Sequence, residues 1–454
     1  MSNIAFVANF HLTDVFLAIA RELQGLNMVY WFVVSEFDKK KLCAAGVQDE
    51  NIIYMPMSAS FETSIYSHCD IALNELIFSD RILRYKPSEA KTYLESLAVC
   101  IDNALSRLDI TIIFGESTWS HERIISKIAK RYDLYYLAPH TVRFPSGRFG
   151  FFEGESQEKL FNSGGMSCAT HGLELPVWEK PSYVKINDQK LLNAKSLSSK
   201  VVRLRNFITK KNIDSESPTN GTDWWTRLIY GAGEEINKLM YNFIRKSTTL
   251  DIAEMRYFLY ALHKQPESSI DVLGRFYDDQ LKNIQVLHRC LPSKCKLVVK
   301  EHSNAIGDRS FLFYKKVKQM ADVVLIEENC DTQTLIKSSL GVFTVSGTIA
   351  YEAAYLGVPS FTFVKMFFNV LPKCNHITIE KLRSINTLED LLLDKAISSN
   401  LEAIRSILDN SHEGVFTDVV TMPNVLEASN KDNLVRGFQK VIDFCLADAK
   451  SNRI

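Results

Sequence analysis

The chain has 454 residues, 46% of them hydrophobic and 23% charged. That balance builds two or three globular domains and excludes a disordered or fibrous chain. Lys and Arg number 53 and Asp and Glu 53, so no global basic field is available to hold nucleic acid, and any anion site must be local.

Residues 1–8 read as a first strand rather than a signal peptide, because a basic start and a long apolar run are both missing. Residues 4–9 form a short apolar run, and 13–26 carry Val15, Phe16, Ala18, Ile19 and Leu23 at helical spacing. Strands are predicted at 28–34 and 51–55, and helical stretches around 89–107. A buried-type strand at 110–114 runs into Gly115-Glu116. A helix at 120–132 with Glu122 and a strand at 134–137 follow. Strands separated by helices mean βαβ units and a parallel sheet.

From 184 to 246 strand signal is scarce. Residues 185–211 hold eight basic residues and one acid among apolar ones, 214–221 form a turn-rich break, and 224–246 return to helical spacing. A second alternating unit follows. Its predicted strands are 256–262, 295–300, 323–326, 341–345 and 360–364, and its helices 270–290, 311–320, 332–338 and 348–356. A helical tail covers 433–449. The expected fold is α/β, two facing Rossmann-like domains with a helical insertion between them. Its expected boundaries are 1–175, 176–250, 251–430 and a C-terminal helix at 431–454. The nine cysteines contain no C-x-x-C pair, which speaks against structural zinc and a disulfide framework. The apolar stretches 338–351 and 353–364 are too short to cross a bilayer. A soluble cytoplasmic protein is expected.

Ligands of open α/β sheets bind at the carboxyl ends of strands. In the second unit those ends carry His263-Lys264-Gln265-Pro266-Glu267, Lys300-Glu301-His302, Glu327-Glu328, and Ser346-Gly347-Thr348 ahead of a helix with Glu352. Glycine permits close backbone approach to an anion, and hydroxyls and helix N–H groups donate to it. The same motif also makes an ordinary helix cap. Strand alternation puts Lys300 and His302 on one face, fit to hold a phosphate and protonate a leaving group. Asp308-Arg309 would orient this loop by an ion pair. Glu267 and, one turn on, Asp271 are carboxylates for the sugar carbon. In the first unit Glu116 is the acid/base candidate, and His140, Arg143 and Arg148 would face an interdomain cleft as acceptor-binding groups. Arg143 and Arg148 would otherwise pair with Glu153 or Glu155. P-loop, G-x-S-x-G, H-E-x-x-H and G-x-G-x-x-G patterns do not occur.

The segments His263–Ile270 and Lys300-Glu301-His302, and Thr344–Thr348 with Glu352, Gly357 and Pro359, resemble the capsule polysaccharide synthesis family. That family includes bacterial Kdo transferases of GT-B architecture. The resemblance covers mainly residues 256–370. It implies a nucleotide-sugar donor on the C-terminal domain, CMP-linked Kdo in the best-understood members. An acidic nucleophile after the first strand of that domain maps to Glu267, where those enzymes carry Asp. Many relatives read Lys-Glu-His-Pro, whereas Ser303 follows His302 here. The implied enzyme is a cytoplasmic, metal-independent glycosyltransferase of bacterial surface polysaccharide without a cofactor. Gln265, Lys300, His302, Ser346, Gly347, Thr348 and Glu352 would hold the donor, and Glu116 would serve a glycan or lipid-linked glycan acceptor. The basic segment 185–211 would meet an anionic inner membrane. A transferase using another sugar nucleotide, a sugar-nucleotide epimerase and a non-catalytic assembly subunit remain alternatives.

Overall fold

A computed structural model describes residues 2–57, 71–162, 224–244, 255–328, 330–393 and 399–451. The basic segment 185–211 and the break at 214–221 lie outside them.

The chain forms two parallel-sheet domains. In the first, β1 (Ser2–Val7), β2 (Asn27–Val33), β3 (Ile52–Tyr54), β4 (Ile110–Phe114) and β5 (Tyr135–Val142) are parallel, ordered β3-β2-β1-β4-β5. Their residues are apolar on both faces because both faces are covered. Ile4 and Phe6 of β1 pack on one side, with the helix Leu12–Leu23, and Ala5 and Val7 on the other, with the helices Pro87–Leu105 and Ser120–Arg131. In the second domain β7 (Tyr257–Ala261), β8 (Lys296–Lys300), β9 (Val323–Ile326), β10 (Gly341–Thr344), β11 (Ser360–Thr362) and β12 (Cys374–His376) are all parallel, ordered β12-β11-β10-β7-β8-β9. This is the strand order of a doubly wound nucleotide-binding sheet. In each sheet the order reverses once, between β1 and β4 and between β7 and β10.

The carboxyl edges of the sheets face each other. The Arg143 Nη1 donates to Thr348 Oγ1 at 2.8 Å, the Tyr351 hydroxyl to the Phe144 carbonyl at 2.6 Å, and Arg84 Nη2 to Asp271 Oδ2 at 3.2 Å. The rings of Phe144 and Tyr355 lie 4.4 Å apart.

Among the departures from the expected elements, four shape the two domains. The helix expected over 270–290 is two helices, Ser268–Asp271 and Gln280–Arg289. Asp279 starts the second by accepting the Lys282 N–H at 3.0 Å. At Gly274 a Cβ would lie 2.6 Å from Val345, so the chain there packs tighter than a side chain allows. An unforeseen strand, β6 (Arg148–Glu153), pairs antiparallel with β5. Within the expected insertion, the described helix Trp224–Ile244 packs on the second domain. Its buried Tyr241 ring lies 4.9 Å from that of Tyr314, and Asn237 donates to the Gly307 carbonyl at 3.1 Å. Finally, the chain returns to the first domain before residue 430. β13 (His412–Glu413) pairs antiparallel with β6, and the helix Ala428–Ser451 lies on the first sheet. The cause is apolar surface: Phe438 sits 4.8–6.4 Å from the rings of Phe6, Phe16, Phe114, Phe149, Phe151 and Phe416. No helix among the described residues is long and apolar enough to cross a membrane.

Because Phe438 is fully buried at the centre of that aromatic cluster, Phe438→Ala should destabilise the first domain by about 3–5 kcal/mol, the range for truncating a buried aromatic. Leu239→Ala, on an exposed helix face, should stay within about 0.5 kcal/mol. Urea unfolding followed by tryptophan fluorescence checks both.

Candidate active site

The switch point of the second sheet is closed by a buried imidazole. His263, just past β7, accepts the Ser346 N–H at Nε2 (3.2 Å), and the same nitrogen lies 2.9 Å from Thr344 Oγ1. The ends of β7 and β10 are thereby tied together. Burial, with His302, Arg309 and Arg143 adding to it, pushes this ring down to about 3, so it is neutral. Gly347 lies against the pair, where a Cβ would come 2.6 Å from Thr344 Oγ1 and 3.3 Å from the His263 ring. The close backbone approach foreseen for this glycine is therefore to His263.

Around this tie stand the predicted donor residues. Glu301 is fully buried and pairs with Arg309, the ion pair foreseen for this loop. It also accepts the Tyr314 hydroxyl at 2.8 Å and the His302 N–H at 2.7 Å. With Glu301 fixed, His302 accepts the Asn304 N–H at Nδ1 (3.2 Å). In its neutral form the ring then carries its proton on Nε2. Burial holds the ring below its usual range. The charge of Glu267 opposes that, and those of Lys300, Lys264 and Arg309 add to it. Lys300 Nζ donates to the Glu328 carbonyl at 2.8 Å. Glu267, Lys264, Lys300 and His302 thus form one electrostatic group. A phosphate held by the cations and the imidazole N–H would have the Glu267 carboxylate beside it.

Some predicted residues are held by the protein itself. Asp271 is buried and takes Gln265 Nε2 (3.0 Å), the Glu267 N–H (3.0 Å) and Arg84, so it and Gln265 position the Glu267 loop. The Ser346 hydroxyl donates to the Ser269 carbonyl at 2.6 Å. Arg148 lies on β6 and donates to the Ser411 hydroxyl (2.8 Å) and carbonyl (2.6 Å) and the Leu408 carbonyl (3.1 Å). It anchors the return of the chain through Ser411 and Leu408. Arg143 does reach across the domains, to Thr348. Glu352 is half-buried in the first turn of Ile349–Tyr355. His140 is half-buried and donates from Nδ1 to the Thr141 carbonyl at 2.9 Å. Burial and then Arg143 lower it to about 4.

The first sheet's switch point holds two carboxyl groups. Asn9, just past β1, donates from Nδ2 to Glu116 Oε2 and to Glu122 Oε1, both at 2.9 Å. Glu122, fully buried, also takes the Thr118 and Trp119 N–H groups at 2.9 and 3.0 Å. Burial raises the Glu122 carboxyl above the usual range, and the neighbouring Glu116 raises it further. Burial also raises Glu116, helped by Asp418 and opposed by Arg81 and Asn9. Two such groups favour one shared negative charge over two. Glu116 was legible as a strand-end carboxylate. Asn9 was not, since it reads as the last residue of an apolar run. Its place next to the order reversal was the available signal. Among the described residues no group of three or more His, Cys, Asp or Glu side chains is placed to hold a metal ion.

A carboxyl group raised in the folded state keeps a proton that the unfolded chain has released, so its contribution to stability falls as pH rises past the unfolded value of about 4.3. Glu116→Gln removes that contribution. Relative to the native chain, the variant should gain stability between pH 5 and pH 8, by roughly 1 kcal/mol or more, one pKa unit being about 1.4 kcal/mol. Urea midpoints at the two pH values test this; a constant difference would contradict the burial argument.

No protein-family model and no curated protein sequence matches this chain. Among solved structures it is similar to a beta Kdo 2,7 transferase of Thermosulfurimonas dismutans, with 9% identity over 96% of this chain and 98% of that one and a TM-score of 0.37. A beta Kdo 2,4 transferase from the same organism gives 13% identity over 70% and 87%, with a TM-score of 0.35. The UDP-GlcNAc 2-epimerase of Methanocaldococcus jannaschii gives 12% identity over 88% and 94%, with a TM-score of 0.26.

Proposed function

We propose that this protein is a glycosyltransferase of bacterial surface-polysaccharide synthesis that takes a sugar from a nucleotide donor, a CMP-linked sugar acid such as Kdo being the class favoured by the motif resemblance. One observation carries the reading. The carboxyl edges of two doubly wound sheets face each other, with a cation, imidazole and carboxylate group at one switch point and a carboxyl pair at the other. A transferase needs this division, a donor-phosphate site on one side and a base for the acceptor hydroxyl on the other.

The donor phosphate sits against Lys300 and the Nε2–H of His302, with Thr348 and Arg143 at its edge. Glu267 attacks the anomeric carbon as the bond to the phosphate oxygen breaks, and the departing phosphate charge is stabilised by the fixed donors. Glu116 takes the proton of a glycan or lipid-linked glycan hydroxyl, which displaces Glu267 and forms the new glycosidic bond. The proton on the Glu116–Glu122 pair leaves to solvent, and the site is reset. Gln265 and Asp271 hold the Glu267 loop throughout.

Incubation with CMP and UDP sugars, read by thermal shift, identifies the donor; ligand at about 100 times its dissociation constant adds roughly 2.7 kcal/mol of stability. Glu267→Gln should then lower turnover by roughly 100-fold or more, the scale of one positioned catalytic group, with donor affinity nearly unchanged. Intact-protein mass spectrometry with donor alone should show a sugar adduct that Glu267→Gln lacks. Normal turnover in that variant would remove the nucleophile, and a changed sugar nucleotide released without any acceptor would replace the transferase with an epimerase.

A further inference from the structure

Beside the carboxyl pair, an exposed ring and a cation flank the buried Trp119, which is 8% exposed. Phe10 follows Asn9 directly and has a φ of +45°, a left-handed conformation that a bulky aromatic residue avoids. It is held in a turn by hydrogen bonds from Leu12 N–H to the Asn9 carbonyl (3.0 Å) and from Thr13 N–H to its own carbonyl (3.3 Å). This backbone does not bury the ring. Phe10 is 37% exposed, whereas Phe6, Phe16 and Phe114 are fully buried. Its ring lies 5.6 Å from that of Trp119, whose own N–H donates to Glu122. Strain that presents a ring to solvent points to a ligand, as strain concentrates at binding sites.

The Arg81 guanidinium lies 5.6 Å over the Trp119 ring. It is half-buried, its charge reaches Glu116, and among the described residues no carboxylate is within ion-pair distance of it. A guanidinium beside a carboxyl group that burial keeps partly protonated has capacity for another anion, and its planar fork matches carboxylate or phosphate.

The geometry points to an acceptor subsite: we propose that a saccharide ring lies with its C–H face on the exposed Phe10, at the edge of the buried Trp119, its anionic substituent on Arg81 and a hydroxyl toward Glu116. The ligand class is an acidic sugar unit, bearing a carboxylate or a phosphate. A few fixed polar groups around an apolar platform is the usual composition of a small-molecule site. The role of Glu116 in this inference rests on the transferase reading above; the platform and its cation do not.

Saturation-transfer NMR and calorimetry on the full chain test it with three probes: methyl β-glucuronide, glucose 6-phosphate and methyl β-glucoside. The first two separate carboxylate from phosphate as the anion, and the third lacks both. At least one acidic probe should bind, with the ring C–H protons most strongly saturated and the neutral glucoside at least about tenfold weaker. Phe10→Gly should weaken the acidic probe by about tenfold or more while raising the melting temperature, because glycine adopts this φ without strain. Lost binding in a more stable protein is not misfolding. Arg81→Gln should bring the acidic probe down to the level of the neutral one. Nucleotide binding should be unchanged in both variants. If no probe binds, or Phe10→Gly leaves binding intact, the subsite is overturned. Sugar binding without any nucleotide binding would instead overturn the transferase reading and leave the subsite standing. Nucleotide binding without sugar binding would do the reverse.

Discussion

A parallel sheet whose strand order reverses cannot cover the carboxyl ends of its two innermost strands, because the crossover helices leave in opposite directions there. This constraint organises the protein. It applies twice, between β1 and β4 and between β7 and β10, and both crevices are occupied by polar groups. In one, His263 bridges the two strand ends. In the other, Asn9 bridges Glu116 and Glu122. The two bridges differ in character. His263 is neutral and closed in, a structural tie that sets the height of Ser346 and Gly347. Asn9 holds two groups of like charge together, and that arrangement persists only because the sheet, the N–H groups of Thr118 and Trp119 and the surrounding core fix their positions. The protein therefore carries a destabilising element at this switch point.

The two domains meet through an apolar cluster of Phe144 and Phe152 with Tyr351 and Phe367, and the loops on the second domain's side of the cleft are fixed by satisfied polar groups. Glu301 has Arg309, Tyr314 and the His302 N–H. Asp271 has Gln265, Arg84 and the Glu267 N–H. Each buried carboxylate is surrounded by donors, which is the condition for burying a charge at tolerable cost. Each also supports one neighbour that faces the cleft, His302 in the first case and Glu267 in the second. The interdomain contact from Arg84 enters through Asp271, so the position of the Glu267 loop is sensitive to how the two domains sit.

What the sequence disclosed follows the range of the interactions. Strands β4, β8, β9 and β10 stand almost where their apolar runs end, because a buried parallel strand is specified locally by β-branched and aromatic residues between turn signals. Glu267, Lys300, His302 and Glu116 were legible for the same reason, as polar residues directly after such runs. The ion pair of Arg309 joins it to Glu301, eight positions away, near enough in the chain for an ion pair at this loop to be anticipated. Asn9 with Glu122, Arg148 with Ser411, and β13 with β6 were not, since each joins residues more than one hundred positions apart. A single chain carries no local mark of such pairings. The break in the helix expected over 270–290 comes from Asp279 capping a new helix and from Gly274 packing against Val345, a contact with a distant strand end that helical spacing does not carry. Arg148 was expected at the cleft because β6 was not expected as a strand: its Gly150 and its three phenylalanines in six residues do not alternate with polar residues.

The return of the chain to the first sheet gives that domain a covalent history different from its place in space. Its aromatic face, Phe6, Phe114, Phe149 and Phe151, is complete when residue 153 has been made, yet the helix that covers it, Ala428–Ser451, is made only after the second domain. During translation the second domain can close first, while the first waits with an exposed apolar surface through the addition of nearly three hundred residues. Completion of the first domain thus depends on residues that are made after the second domain.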